Sequence, residues 1–305
     1  MSESFQCLVA EKTTVSVALA TDEFYLSPTL VAVRSIALHT SDCYHYVIYI
    51  LSEKPLSFFS QRLFSSAVKG YENVNIVFIN VGHMISTVNL SVDGPIKGVT
   101  QATFFRFLLP DLLKATNKVL YLDSDTLVLD DIAKVYLKDI DGFLMGGVRD
   151  HSGQQDSETR CRELGIDSLD QYVNAGVLLM NLKELRRVGL SEKMLTLAAE
   201  RSFSYNDQDI INAMCYGRIL AIPYKCNAIV DYLEDPIEIS QTLGIDYMSE
   251  ISDPVVLHYA GRAKPWYHPT NKWSLLWWQI ARTFRGNSAL LFKYYFKKLQ
   301  RKNCS

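Results

Sequence analysis

The sequence predicts an α/β protein with a central, mostly parallel sheet and a short helical C-terminal tail. Three observations carry this. From Val15 to Asn80, short apolar runs alternate with stretches of helical apolar spacing, as in a parallel sheet covered on both faces. A later apolar run, Val119–Leu122, ends abruptly in Asp123-Ser124-Asp125, and ligands in open α/β sheets collect at the carboxyl ends of strands. The end of the chain then changes chemistry. No Asp or Glu follows Asp253, ten Lys or Arg do, and Trp266, Trp273, Trp277 and Trp278 are the only tryptophans.

In order, Val15–Ala20 reads as the first strand, running into Thr21-Asp22-Glu23-Phe24-Tyr25. A helix is expected over 27–39, with Leu30, Val33, Ile36 and Ala37 at helical spacing. Tyr46–Leu51 reads as strand, 57–69 as helix and Asn75–Asn80 as strand; 81–99 reads as loop. A helix is expected over 101–114, with Pro110 marking a break or a new first turn. After the Asp-Ser-Asp strand come a strand at Phe143–Val148, an irregular polar loop over 151–170, and a strand at Tyr172–Asn181. Helical pieces follow at 182–188, 191–201 and 207–216. Leu257–Trp266 reads as a strand end with a Gly-containing loop, and 274–284 and 289–302 as terminal helices.

At 305 residues and 48% hydrophobic, the chain buries a substantial core. The net charge of −2 is the sum of an acidic body and a basic tail. A catalytic domain is expected over 1–268 and the tail over 269–305. The six cysteines show no C-x-x-C spacing, which fits a reducing compartment and no zinc site. Glu3, Glu11 and Lys12 interrupt the start, so no signal peptide is read, and no apolar run approaches ~20 residues. A cytoplasmic protein without a nucleic-acid partner is expected.

Three constellations carry chemistry. Asp123, Asp125 and His258 sit at strand ends. Two carboxylates and an imidazole suit Mn²⁺ better than Mg²⁺, because manganese accepts nitrogen more readily. Alone, D-x-D also reads as a polar turn and His258 as an ordinary core or surface histidine. The second set is Gly261, Arg262, Lys264 and Trp266, a loop where backbone N–H groups can approach a phosphate and Lys264 can neutralise it; an ordinary basic surface loop is the alternative. The third is Asn206-Asp207-Gln208-Asp209, one of which reads as a helix N-cap before Ile210-Ile211. Asp22 closes the first strand. Arg106, between Phe105 and Phe107, is costly to bury without an anionic partner.

Six stretches in order, ALATDEFY, TFFRFLLPDLL, KVLYLDSDTLV, YVNAGVLLMNL, NDQDIIN and LHYAGRAKPW, make the chain resemble family 8 of the retaining glycosyltransferases. That family includes bacterial lipopolysaccharide galactosyl- and glucosyltransferases and, more distantly, glycogenin. The resemblance spans roughly Val15 to Trp266. It implies a GT-A (Rossmann-like) fold, Mn²⁺, and a nucleotide-sugar donor, UDP-glucose or UDP-galactose. By motif match, Asp123, Asp125 and His258 are the metal ligands, Asp22 a uracil contact, Arg106 a donor contact, and Gly261 with Lys264 diphosphate contacts. Tyr25 and Ser124 are counted with the donor-binding residues. Asp150, Asn174, Asp207 and Gln208 are implied near the reacting carbon. Phe24 departs from the pattern, since close relatives often carry Asn there.

The expected function is metal-dependent, retaining transfer of galactose or glucose to a glycan, lipopolysaccharide or another cell-surface polymer. Gln208, a neutral amide, is a poor nucleophile, so same-face attack is favoured, with Gln208 steadying the reacting centre and Asp150 and Asp207 orienting sugar hydroxyls. The rivals are a self-glucosylating enzyme and an inactive sugar-nucleotide-binding protein. In the tail, Leu291, Phe292, Tyr295, Phe296 and Leu299 fall on one helical arc, with Lys293, Lys297 and Arg301 opposite. Docking on an anionic membrane, beside a lipid-linked acceptor on the cytoplasmic face, is expected. The alternative is a helix packed on the body.

Overall fold

The computed structural model describes residues 12–86, 88, 90, 100–151, 157–233, 235–261, 264–267 and 272–284. Ten strands are described: β1 Thr14–Thr21, β2 His45–Ser52, β3 Val74–Asn80, β4 Lys118–Leu122, β5 Thr126–Val128, β6 Met145–Arg149, β7 Val173–Asn181, β8 Ile219–Ala221, β9 Ala228–Ile229 and β10 Val256–His258. Seven form one sheet in the order β3-β2-β1-β4-β7-β6-β8, and β5-β10-β9 form a second. In the large sheet only β7 runs against its neighbours. The expected mostly parallel sheet is what the chain forms.

The central strands of the large sheet, β1, β4 and β7, are buried on both faces, and the two-residue period divides their side chains. Val15, Val17 and Leu19 of β1 join Leu120 and Leu122 of β4 and Val177 and Leu179 of β7 in one core. Ala18, Ala20, Val119, Tyr121, Leu178 and Met180 point into the other. A third core lies under the small sheet, where Leu127, Ile229 and Leu257 meet Val31 of the helix Leu26–Leu38.

Because β1, β4 and β6 run the same way and β7 is reversed, one edge of the sheet gathers four chain segments. They are the residues after β1, β4 and β6 and the first residues of β7, with Leu122 opposite Val177 and Arg149 opposite Val173. Asp22, Asp123, Asp150 and Asn174 are thus neighbours although far apart in sequence. The edge lies next to β10, which ends in His258.

Several expectations need correction. The segment expected as helix over 101–114 is a 3-10 helix, Gln101–Leu108, followed by a short α-helix, Leu109–Leu112, with Pro110 in its first turn. With three residues per turn, Thr103 and Arg106 project from the same side, and both reach Asp207. Within the stretch expected to be an irregular loop, Ser157–Leu164 is helical. Only Arg160 and Leu164 are buried there, so no apolar stripe announces it. The helix expected from Asp207 begins at Asn206; its cap position is Tyr205, without a side-chain capping bond. Asn206, Asp207 and Asp209 are therefore not N-caps.

The tryptophans counted with the basic tail belong to the body. Trp277, on the helix Lys272–Ala281, is fully buried against Trp266, with ring centroids 5.5 Å apart. Trp278 donates to the Pro265 carbonyl at 3.0 Å, and Arg34 donates to Thr283 Oγ1 at 2.9 Å. The amphipathic segment 289–302 and Arg262 lie outside the described residues.

Candidate active site at the carboxyl edge of the sheet

Asp123 leaves β4 with its N–H on the Gly176 carbonyl at 2.8 Å, and Tyr259 donates its N–H to the Asp125 carbonyl at 3.0 Å. The Asp-Ser-Asp turn is thereby pinned between the two sheets. His258 Nε2 stands 3.3 Å from Asp125 Oδ1 and 3.8 Å from Asp123 Oδ2. One ligand atom from each of the three lies within 4.8 Å of the others.

Backbone geometry fixes which nitrogen of His258 is bare. The Gly176 N–H donates to Asn174 Oδ1 at 2.9 Å, so that atom is the oxygen. Asn227 Nδ2 donates to the same oxygen at 2.9 Å. Asn227 Oδ1 must then face His258 Nδ1, 3.0 Å away, which therefore carries the proton. Nε2 is left with its lone pair toward the two carboxylates, the arrangement a cation needs. The donor set, two carboxylates and a neutral imidazole, fits a divalent ion such as Mn²⁺. The close approach requires glycine at 176, where a Cβ would stand 2.0 Å from His258 Cε1.

Burial opposes charge on Asp125, but the Lys264 ammonium outweighs it and holds the carboxyl far below its usual range. Lys264 Nζ donates to Asp125 Oδ2 and to the carbonyls of Tyr259 and Ala260. The lysine expected at a diphosphate thus sits on a candidate metal ligand. Gly261 packs under Asp231, whose Oδ2 lies 1.6 Å from where a Cβ would be.

Arg106 is buried as feared, and with anionic partners. It donates to Asp123 Oδ1 at 2.7 Å and to the Ala175 carbonyl, and stacks over Tyr121 at 4.2 Å. Asp207 Oδ2 is 3.2 Å from Arg106 Nε, but that N–H is taken by the Thr103 carbonyl. Asp207 Oδ2 therefore accepts no hydrogen bond. Burial pushes the Asp207 carboxyl up to about 6, against the pull of Arg106.

Asp150, Asn174 and Gln208 form one buried net. Gln208 Oε1 accepts from the Ala175 N–H at 3.0 Å, which fixes its amide, and from Asn174 Nδ2 at 3.1 Å. Its Nε2 donates to Asp150 Oδ2 at 3.1 Å and to the Tyr172 hydroxyl at 3.2 Å. Asp150 also accepts from Asn174 at 2.9 Å and from the Tyr232 hydroxyl. Asp209 is held separately by Arg160, at 3.1 Å through Nη1, and by Tyr172 at 2.6 Å.

Two sequence-derived residues are engaged in local structure. Asp22 Oδ1 accepts the N–H groups of Phe24 and Tyr25, each at 2.8 Å, and Oδ2 accepts from Thr100. Ser124 accepts from Thr29 at 2.8 Å and donates to the Ala20 carbonyl. Tyr25 packs edge-on against Trp266, and burial with Asp125 nearby raises its hydroxyl pKa. Asn227, Tyr232, Thr103 and Arg160 were not singled out in the sequence. Each stands alone in its stretch and gains meaning only through its partner.

Comparison with known proteins agrees with this geometry. The family model described as glycosyl transferase family 8 matches residues 16–270. General stress protein A of Bacillus subtilis is 29% identical over 178 residues, 55% of this chain and 60% of that protein. Lipopolysaccharide 1,2-glucosyltransferase of Escherichia coli K12 is 26% identical over 86% of this chain and 74% of its own length. The chain thus spans less than two thirds of the stress protein. Among solved structures, galactosyltransferase LgtC with donor and acceptor sugar analogs superposes with a TM-score of 0.72 at 24% identity, over 89% of this chain and 96% of that one. The bifunctional glycosyltransferase WbbM gives 0.78 at 19% identity, over 93% and 52%. These likenesses show the GT-A type of fold.

Proposed function

The chain belongs to glycosyl transferase family 8, and on that premise we propose that it is a retaining hexosyltransferase moving glucose or galactose from a UDP-linked donor to a glycan hydroxyl. One observation supports this most: the chain of amides from Gly176 through Asn174 and Asn227 to His258 joins the candidate metal triad to the Asp150–Gln208 net. A charge-handling pole and a hydroxyl-binding pole are held as one rigid unit.

The anomeric carbon's bond to the β-phosphate breaks, and its bond to the acceptor oxygen forms on the same face. The acceptor's proton passes to the leaving phosphate oxygen. A divalent cation held by Asp123, Asp125 and His258 would supply charge neutralisation of the diphosphate. Lys264 adds a second positive charge by exchanging its bond to Asp125 for one to phosphate. Gln208, a neutral amide with both ends hydrogen-bonded, steadies the reacting carbon and does not attack it. Asp150, Asn174 and Asp207 bind sugar hydroxyls. Arg106 acts through Asp123 and Asp207, while Asp22, Tyr25 and Ser124 shape the nucleotide end.

The activity in the name of the Escherichia coli relative makes lipopolysaccharide or another cell-surface glycan the acceptor class. Peripheral docking through residues beyond 286 would bring a lipid-linked acceptor to this edge. The test is UDP release from a panel of UDP-sugars. UDP-glucose or UDP-galactose should be consumed, EDTA should stop the reaction and Mn²⁺ should restore it. Absence of release from every donor would sink the reading.

A further inference from the structure

The Asp150–Gln208 net meets the Arg160–Asp209 pair at one atom, the Tyr172 hydroxyl. Gln208 Nε2 donates to that oxygen at 3.2 Å, and the hydroxyl gives its own proton to Asp209 Oδ1 at 2.6 Å. Burial, with Asp209 beside it, raises the Tyr172 pKa well above its ordinary value, so the proton stays on the ring oxygen. Asp209 is fully buried. Arg160 holds both of its oxygens, reaching Oδ2 at 3.1 Å through Nη1, and the Tyr205 N–H bonds Oδ2 at 2.9 Å. The direction of this chain is fixed. Arg160 can only donate, so Asp209 accepts; the one proton of Tyr172 goes to Asp209, so its oxygen accepts from Gln208.

A buried ion pair contributes little net stability over apolar residues of its size, and Arg160 Nε has no hydrogen-bond partner among the described residues. What the pair supplies is orientation. Gln208 Nε2 has two hydrogens; Asp150 Oδ2 takes one at 3.1 Å and Tyr172 takes the other. With the Tyr172 hydroxyl no longer directed at Asp209, the second hydrogen loses its fixed acceptor and the amide can tilt. We propose that Arg160 is a positioning residue for sugar transfer: through Asp209 and Tyr172 it fixes the Gln208 amide beside the reacting carbon, and it touches neither substrate itself. The inference rests on the glycosyltransferase reading. It also gives the helix Ser157–Leu164 a role, since Arg160 and Leu164 are its buried residues.

The experiment uses the full chain with Mn²⁺ and the UDP-sugar that the wild type consumes, and reads UDP release at saturating donor. Arg160→Lys keeps the charge but not the fork that holds both carboxylate oxygens. Tyr172→Phe keeps the ring but not the hydroxyl. Each should lower kcat about tenfold to a hundredfold, the effect of misplacing a group at the reacting centre. Calorimetric affinity for UDP should stay within about twofold, because UDP carries no sugar to meet Gln208. The double variant should lose no more than the worse single variant, since both changes break one chain. Wild-type kcat in either single variant, losses that multiply in the double variant, or UDP affinity falling in step with kcat overturns the proposal. Wild-type protein that releases UDP from no donor overturns the glycosyltransferase reading and the proposal with it; wild-type release with unaltered variants overturns the proposal alone.

Discussion

At the scale of single residues, the candidate site depends on groups outside the metal triad. Asn227 holds the proton of His258 on Nδ1 and is itself oriented by Asn174. Asn227→Ala should weaken Mn²⁺ binding about 10–100-fold, the usual effect of removing such a partner, measured by calorimetric titration. Equal affinity would show that His258 is oriented without it. Asp207 gives a pH signature. Burial raises its folded value from 3.8 to about 6, so the protonated form favours the fold. That contribution is complete below about pH 4 and is lost as pH rises through about 6, an interval corresponding to about 3 kcal/mol. Urea unfolding of wild type and Asp207→Asn in EDTA should therefore diverge with rising pH, the wild type losing stability relative to the variant. A difference that stays flat from pH 4 to 7 would place Asp207 in a more solvated setting.

At the scale of elements, β7 meets β10 through one contact that tolerates no side chain. Gly176→Ala would push a methyl to within 2.0 Å of His258 Cε1. Backbone on both sides is held by strand pairing, so the imidazole must turn away. The expected result is loss of measurable Mn²⁺ affinity with the large sheet's circular dichroism retained; wild-type affinity would show that β10 can shift. The same elements show what was legible. Val15–Ala20 and Val119–Leu122 read correctly because both faces are buried and the runs are apolar but for Ser16. His258 could be placed at a strand end from Val255-Val256-Leu257 alone. The two residues of β9 are too few for any period, and β8, with one exposed residue in three, is equally mute. Helix Ser157–Leu164 hid because its anchor is an ion pair, Arg160 to Asp209, and not an apolar stripe. Asp22 and Ser124 show the reverse case: a motif identified them, but the motif does not reveal that their oxygens are engaged by Phe24, Tyr25, Thr29 and Ala20.

At the scale of the whole molecule, the division between body and basic tail becomes a question of where the chain can be cut. The helix Lys272–Ala281 packs Trp277 into the third core, and Phe284 reaches the second. Removing everything after residue 271 would leave Trp266 and Val31 without that cover, and a cavity of tryptophan size costs about 3–5 kcal/mol. A chain ending at Gly286 keeps all of these contacts and loses five of the ten cations that follow Asp253: Lys293, Lys297, Lys298, Arg301 and Lys302. Each contributes about 1 kcal/mol near an anionic bilayer. With the tryptophans assigned to the body, binding must rest on these cations and the apolar arc of Leu291, Phe292, Tyr295, Phe296 and Leu299. Sedimentation with anionic liposomes should carry the full chain down and leave the chain ending at Gly286 in the supernatant, and added salt should release the full chain. Donor hydrolysis should survive the cut, because every residue of both poles lies before it. Equal sedimentation of the two chains, or binding indifferent to salt, would show that the tail is no electrostatic anchor.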